Sequence, residues 1–402
     1  MRRSTVLIAC LVAAMMAIAS ARFVLRSRRA EFTPAIPTPI EGRTQWHQLD
    51  NYSYEDFIRE YKKSHLLTSS AEYEYRKSVF EKNLAMIKAH NANPHRTYNM
   101  NVNHFADLTQ EEFVSMYTGY AQGLAMKHRN LKTSFVPEFP KVYKTKDYPK
   151  SIDWRTKGIT TPVKNQGQCG SCWAFAATAC YESHAALATG KLVTLSPQQI
   201  TSCAPNPHKC GGTGGCEGAT AEIAYEYTST VGITAESSYP YTSGTTTRTG
   251  TCYYPNATMP TVFRNKGYKQ LPTNDLNSHL DGIQNGPMVI SVAASAWAFY
   301  DSGIFNGCSN NLDNVDVNHA VVLEGYGEEA NGQKYWIVRN SWGPNWGENG
   351  YIRLARRDVE VCGTDPTPEH GYVCENGPTS LTVCGECGML SDTAYPTGIT
   401  VA

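Results

Sequence analysis

From Tyr54 onward, apolar positions recur at intervals of three and four: Phe57, Ile58 and Tyr61, then Tyr75, Val79, Leu84 and Ile87. That period predicts amphipathic helices, each with one buried face. After Cys172 the pattern changes to Ala174, Ala176, Ala177 and Ala179, which predicts a buried helix beginning at the thiol, and Pro197–Ser202 predicts a further short one. Beyond Asn256 the runs Val289–Ala293, Ala320–Tyr326, Tyr335–Val338 and Tyr351–Leu354 are β-branched and aromatic and alternate with Gly-rich turns. They predict an antiparallel sheet or barrel. The expected class is α+β, with helices dominating from Trp154 to about Tyr254 and strands after it.

The first residues follow a different pattern. Met1-Arg-Arg precedes an apolar run from Val6 to Ile18 and then Ala19-Ser20-Ala21. This reads as a secretory signal peptide, residues 1–21, since a run of about 13 residues is too short to span a bilayer comfortably. No later stretch holds 18 uninterrupted apolar residues, so no membrane association is expected once the signal is removed. Residues 22–47, rich in Arg, Pro and Thr, read as an extended linker. Asn51-Tyr-Ser and Asn256-Ala-Thr are acceptors for N-glycosylation.

Length and charge add two limits. The 402 residues can hold two or three domains with large cores. A formal net charge of zero hides a split: 21 basic against 14 acidic side chains before residue 148, and 15 against 22 from there on. A basic tail can signal nucleic-acid binding. Here a basic N-terminal segment held against an acidic C-terminal part is the simpler reading, and no nucleic-acid partner is expected.

The candidate chemistry lies in Gln166-Gly-Gln-Cys-Gly-Ser-Cys-Trp173, with His319 in Val-Asn-His-Ala-Val-Val-Leu and Asn340 in Val-Arg-Asn-Ser-Trp-Gly. A thiol at a helix N-terminus sits at the positive end of the dipole, which favours the nucleophilic thiolate. An imidazole can take the thiol proton while a side-chain amide orients the imidazole. Cys-Gly-Ser-Cys-Trp resembles the signature of papain-type cysteine proteases. Asn340-Ser-Trp-Gly-Pro-Asn-Trp-Gly347 and Glu348-Asn-Gly-Tyr-Ile-Arg353 extend the resemblance, and so does the spacing of Glu72, Arg76, Phe80, Asn83, Ile87 and Asn91, which is similar to the helix motif of cathepsin L-like propeptides. A second propeptide element, Asn101-Val-Asn103-His-Phe105-Ala-Asp107, departs only at Asn101, where the family usually has Gly.

The resemblance covers about residues 54–400. It implies a papain-like fold of two subdomains, helical on the left and an antiparallel β-barrel on the right. It implies an inhibitory helical propeptide within residues 22–147 and a mature peptidase from 148 to 402, with cleavage near Lys146–Lys150. The implied activity is that of a cysteine endopeptidase, made as a zymogen and acting on protein and peptide substrates as a monomer, without cofactor or metal. The implied location is the secretory pathway, ending in a lysosome or vacuole or outside the cell.

The roles it implies are Cys172 as nucleophile, His319 as proton carrier, Asn340 as its orienting partner, and Gln166 with the Cys172 N–H as the oxyanion hole. Trp342 and Trp346 would shield the Asn–His bond. The family's substrate-contacting Cys-Asn-Gly-Gly stretch is replaced by Cys216-Glu217-Gly218-Ala219, so Gly218 and Ala219, together with Trp342, are candidate substrate contacts, Ala219 carrying an extra methyl. Asp392 matches the bottom of the pocket for the second residue upstream of the scissile bond (P2), where an acid admits basic side chains; a solvated surface carboxylate is the other reading.

Thirteen cysteines suit an oxidising compartment. The resemblance implies Cys169–Cys216 and Cys308–Cys387, with Cys252 joined to Cys203 or Cys210. Setting aside Cys10 and Cys172 leaves an odd number, and Cys180, on the helix of Cys172, is the candidate for the unpaired thiol. Cys362, Cys374 and Cys384 lie in a stretch that looks inserted and stay unassigned. Cys384-Gly-Glu-Cys387 matches a redox or zinc spacing, but disulfides fit a secreted chain better. Two rival functions remain open: an acyltransferase using the same Cys–His–Asn chemistry, and a secreted binding protein on an inactive protease fold.

Overall fold

The computed structural model describes residues 42–63, 69–119 and 147–402, so the expected signal peptide and most of the linker lie outside the described residues. A helix over Cys172–Thr189 is buried along nearly its whole length. It starts at the thiol, as its small side chains predict, and ends where Gly190 turns left-handed with φ +70°. Pro197–Cys203 and Ala221–Val231 pack beside it around a core that includes Ala177, Ala224 and Tyr225.

The second half is a barrel-like sheet. Its spatial order runs Tyr98–Met100, Tyr300–Phe305, Tyr351–Ala355, Lys334–Arg339, His319–Glu328, Met288–Val292, Thr393–Thr397 and Gly267–Gln270. All of these pairs are antiparallel except Tyr351–Ala355 with Tyr300–Phe305, which is parallel. Five-residue Met288–Val292 is buried throughout, which explains its uninterrupted apolar reading. The register places Val292 opposite His319.

The N-terminal part is built onto this sheet. Tyr98–Met100 adds an edge strand against Gly303–Tyr300. Each residue of the propeptide-like motif has a visible task. Phe80 and Ile87 face the core from the helix Ser70–Asn91. The Arg76 guanidinium donates to Glu72 at 2.7 Å and to both carboxylate oxygens of Glu112 at 2.6 and 2.9 Å. Asn83 donates to the carbonyls of Ala106 and Leu108, and Asn91 exchanges two hydrogen bonds with the backbone of Met100. These amides tie the helix to the segment that leads into the cleft. Asp107 pairs with Lys63 at 2.9 Å, nearly out of solvent.

Two local expectations change. Tyr75, spaced as if on the buried face, is 46% exposed; the Arg76 guanidinium lies 5.2 Å from its ring centre. The linker ends earlier than its composition suggests, because Arg43 pairs with Asp301 of the barrel at 3.1 Å and Trp46–Asn51 already forms a 3-10 turn.

Five disulfides form among the described residues. Cys169–Cys216 and Cys308–Cys387 are joined as expected, Cys252 takes Cys203, and the inserted stretch supplies Cys210–Cys374 and Cys362–Cys384. Cys172 and Cys180 stay free and buried. The Cys384-Gly-Glu-Cys387 spacing is thus split between two disulfides. Cys308, Glu386 and Cys387 are close enough to hold a metal, but both sulfurs are spent in their bond. No helix among the described residues is long and apolar enough to cross a membrane.

Candidate active site

Cys172 opens its helix, and the backbone N–H groups of Cys172, Trp173 and Ala320 face its sulfur. Ala320 follows His319, the first residue of the strand His319–Glu328. Helix start and strand start therefore meet at the thiol from opposite sides of the cleft.

His319 Nε2 lies 2.8 Å from Asn340 Oδ1. The Ser341 N–H donates to that same oxygen at 2.7 Å, which fixes the amide's orientation. Only an Nε2–H tautomer satisfies the contact, so the neutral ring keeps its lone pair on Nδ1. Nδ1 is buried and has no hydrogen-bond partner. Trp342 stacks on the imidazole at 4.9 Å, and Trp346 meets Trp342 edge-on. Both indoles are fully buried and keep water from the His–Asn bond.

Gln166 is held from behind: its Oε1 accepts from Ser341 Oγ at 2.6 Å, and its Nε2 donates to the Cys169 carbonyl at 2.9 Å. The same Nε2 donates to the Tyr117 carbonyl at 3.3 Å, and Trp342 Nε1 donates to that carbonyl at 2.9 Å. Tyr117 ends the helix Gln110–Tyr117, whose Phe113 packs on Trp342. Two residues on, the Gly119 N–H donates to the Asn318 carbonyl at 2.8 Å. A methyl on Gly119 would stand 3.3 Å from Cys172 Sγ and 3.4 Å from that carbonyl. The N-terminal segment thus lies in the cleft directly over the thiol.

This cover reverses the expected electrostatics. Burial pushes the Cys172 thiol up to about 11, against the lowering effect of the surrounding N–H groups. Burial also pushes His319 down to about 4, opposed by the hydrogen bond to Asn340. The sequence predicts a thiolate at the helix N-terminus; with the cleft filled, desolvation outweighs the dipole and both groups are neutral.

Gly218, with φ +84°, also borders the occupied cleft: a Cβ there would come within 2.2 Å of the Gly119 carbonyl. Ala219 is buried beside it. Asp392 is 9% exposed and accepts from Ser291 Oγ at 2.8 Å and Gln270 Nε2 at 3.2 Å. Burial raises its carboxyl, and burial plus the neighbouring Asp392 push Glu222 up to about 8. Glu222 went unnoticed in the sequence because nothing there shows that a helical residue meets Asp392. Tyr117, Gly119 and Asn318 were missed for the same reason, although Asn318 adjoins His319.

Comparison with known proteins adds independent findings. Residues 148–371 match the papain family cysteine protease model, and residues 54–113 match the cathepsin propeptide inhibitor domain (I29). Procathepsin L of Mus musculus is 36% identical over 344 residues, covering 82% of this chain and 92% of its own. The senescence-specific cysteine protease SAG12 of Arabidopsis thaliana is 39% identical over 293 residues, 71% of this chain and 80% of its own. Among solved structures, a recombinant stem bromelain precursor superposes with a TM-score of 0.66 at 33% identity, covering 86% of this chain and 97% of its own. A digestive procathepsin L 3 of Tenebrio molitor larval midgut gives 0.64 at 31% identity, covering 89% and 100%.

Proposed function

The chain belongs to the papain family of cysteine proteases and carries its I29 propeptide, and from that premise we propose a peptidase that works through a Cys172 acyl-enzyme. With the propeptide gone, Cys172 Sγ passes its proton to His319 Nδ1 and attacks the substrate carbonyl. The C–S bond forms, and the oxyanion takes hydrogen bonds from the Cys172 N–H and Gln166 Nε2. His319 returns the proton to the leaving amine as the C–N bond breaks. Water, deprotonated by His319, then attacks the thioester, and the C–S bond breaks to release the acid. Asn340 acts only through His319, holding Nε2 so that Nδ1 faces the thiol. The observation that carries this reading is the hydrogen bond from Nε2–H to Asn340, which leaves Nδ1 unpaired on the residue next to Ala320, whose N–H faces the sulfur of the cysteine that opens the helix.

In the zymogen the Tyr117 carbonyl occupies the Gln166 amide while Gly119 covers the sulfur, so substrate is excluded. We place the mature N-terminus near 148: Tyr148 hydroxyl donates to Asp281, and Ile152–Asp153 pairs with the barrel strand at Tyr326–Gly325. Residues 1–21 then serve as signal and the remainder up to 147 as propeptide. Activation in an acidic part of the secretory pathway fits the ion pair Arg76–Glu112, which protonation of Glu112 weakens. Asn51 and Asn256 are exposed and open to glycosylation. Whether cleavage falls within long chains depends on the upstream half of the cleft.

The test is the purified Cys172→Ala zymogen. It should fold, expose the same protease-resistant core and show neither turnover nor self-processing at acid pH. Appreciable residual hydrolysis would remove Cys172 from the mechanism, and hydrolysis replaced by transfer to an added amine would favour an acyltransferase.

A further inference from the structure

The stretch between Ala355 and Met389 leaves the barrel as a hairpin, Cys362–Asp365 against Leu381–Cys384, closed at its base by the Cys362–Cys384 disulfide. Its tip turns back across the cleft. Gly371 lies on the barrel wall, where a methyl would stand 1.8 Å from the Val317 carbonyl oxygen. On its other side, the Gly371 carbonyl would be 2.4 Å from a methyl on Gly211, and the Gly211 N–H donates to the Val373 carbonyl at 3.1 Å. Cys374 then bonds to Cys210 of the helical half. The tip is therefore covalently anchored to one wall and its base to the other, with backbone contacts too close for any residue but glycine.

Gly119 marks the path of a peptide past the thiol, with its N–H on Asn318. Val317 precedes Asn318, and Gly218 touches both Gly119 and Gly211: a Cβ there would lie 2.2 Å from one carbonyl and 2.4 Å from the other. The tip thus sits between Val317 on one wall and Gly211 on the other, and Gly211 in turn touches Gly218, which borders Gly119. Tyr372, next to Gly371, is half-buried and packs against the barrel core. Its hydroxyl is buried without a hydrogen-bond partner, and Asp365, Ser391 and Asp392 lie near enough to act on it.

We propose that residues 366–376 are a permanent strap over the upstream half of the cleft, and that Tyr372 fills the P2 pocket above Asp392. A substrate then finds room at P2 for Gly or Ala only, and the Asp392 carboxylate is out of reach of a P2 Arg. Both disulfides hold this arrangement, so it persists after the propeptide leaves; even a nick in the exposed loop 375–380 would leave each half attached. The proposal rests on the peptidase reading of Cys172.

The experiment uses full-length zymogen processed at acid pH, with three capped peptides that differ only in Gly, Phe or Arg at P2. Wild type should favour Gly over Phe and over Arg by about ten-fold or more in kcat/KM, the scale on which a pocket discriminates by size. Tyr372→Ala should raise the Phe/Gly and Arg/Gly ratios by about the same factor, and adding Asp392→Asn should remove only the Arg gain. If Tyr372→Ala does not fold, the Cys210→Ser/Cys374→Ser pair, which frees the tip and keeps Tyr372, should shift the ratios in the same direction by less. Phe cleaved as readily as Gly by wild type, or ratios unchanged in a folded variant, would overturn the strap. An epoxide-type thiol inhibitor separates the two failures: no label on Cys172 and no cleavage of any peptide would sink the peptidase reading, and the strap with it.

Discussion

Replacing Glu112 with Gln keeps the size of the side chain and removes its charge from the joint between the helices Ser70–Asn91 and Gln110–Tyr117. Glu112 accepts two hydrogen bonds from Arg76, at 2.6 and 2.9 Å, and one from the Thr109 N–H at 2.9 Å. Burial raises this carboxyl, but the bonds from Arg76 and Thr109 and the charge of Arg76 outweigh that and hold it below the usual Glu range. A Gln retains one acceptor and loses the paired geometry. Hydrogen bonds to charged groups contribute about 1.5–3 kcal/mol, and the solvent left at this pair reduces the loss to about 1–2 kcal/mol. The helix that carries Glu112 also delivers Tyr117 and Gly119 to the cleft, so its detachment uncovers Cys172. The open fraction of the zymogen should then rise about five- to thirty-fold at pH 7.

The sign of the pH effect follows from the lowered carboxyl. Its stabilisation is complete above the unfolded value and disappears as pH falls through the folded one. Wild type and Glu112→Gln should therefore begin to converge as pH falls below the ordinary Glu range and meet below the folded value. The assay is the initial rate at which an epoxide-type inhibitor labels Cys172 in intact zymogen, read by mass before processing begins, with each rate divided by that of processed enzyme at the same pH. Equal labelling of the two proteins at pH 7, or a gap that persists undiminished well below pH 4, would refute the reasoning.

Asn340→Ala should lower kcat by less than the about 10²–10⁴-fold that positioned proton transfer provides, because the imidazole loses its guide but not its basicity; inactivity equal to Cys172→Ala in a folded protein would mean that Asn340 does more. Gln166→Ala should cost about 3–4 kcal/mol of transition-state stabilisation, seen in kcat with KM little changed; an unaltered kcat would remove Gln166 from the oxyanion hole. The mature domain should be more stable at pH 5 than at pH 8. Burial pushes Asp365 up to about 8 and Glu360 up to about 7, so the stability they contribute is complete below pH 4 and lost as pH rises through 7 to 8. Melting curves across that range, and their flattening in Asp365→Asn, provide the check.

What the sequence reveals and what it conceals divide along physical lines. The Cys172 helix is readable because small residues on every side admit only a buried helix, and the barrel strands because β-branched runs stand between glycines. Arg76, Asn83 and Asn91 are readable only through the resemblance to the propeptide helix motif, and the bonds that give each its task appear in the structure. The partner of Cys252 is not, since Cys203 and Cys210 differ only in three-dimensional position. The strap is hidden because Cys374 reaches a cysteine 164 residues away. Tyr75 shows that a periodic position is buried only where a partner covers it. The neutral thiol is concealed as well, since the burial that reverses the helix dipole comes from Tyr117 and Gly119, and nothing near Cys172 in the sequence announces them.

The most direct test of the account titrates acid-processed enzyme with an epoxide-type thiol inhibitor while peptide hydrolysis and protein mass are followed together. A single reactive thiol in an open cleft predicts that activity falls linearly to zero as one inhibitor binds per chain, with the adduct on Cys172 and none on the buried Cys180. Hydrolysis that survives complete modification of Cys172, or loss of activity with the adduct on another residue, would contradict it.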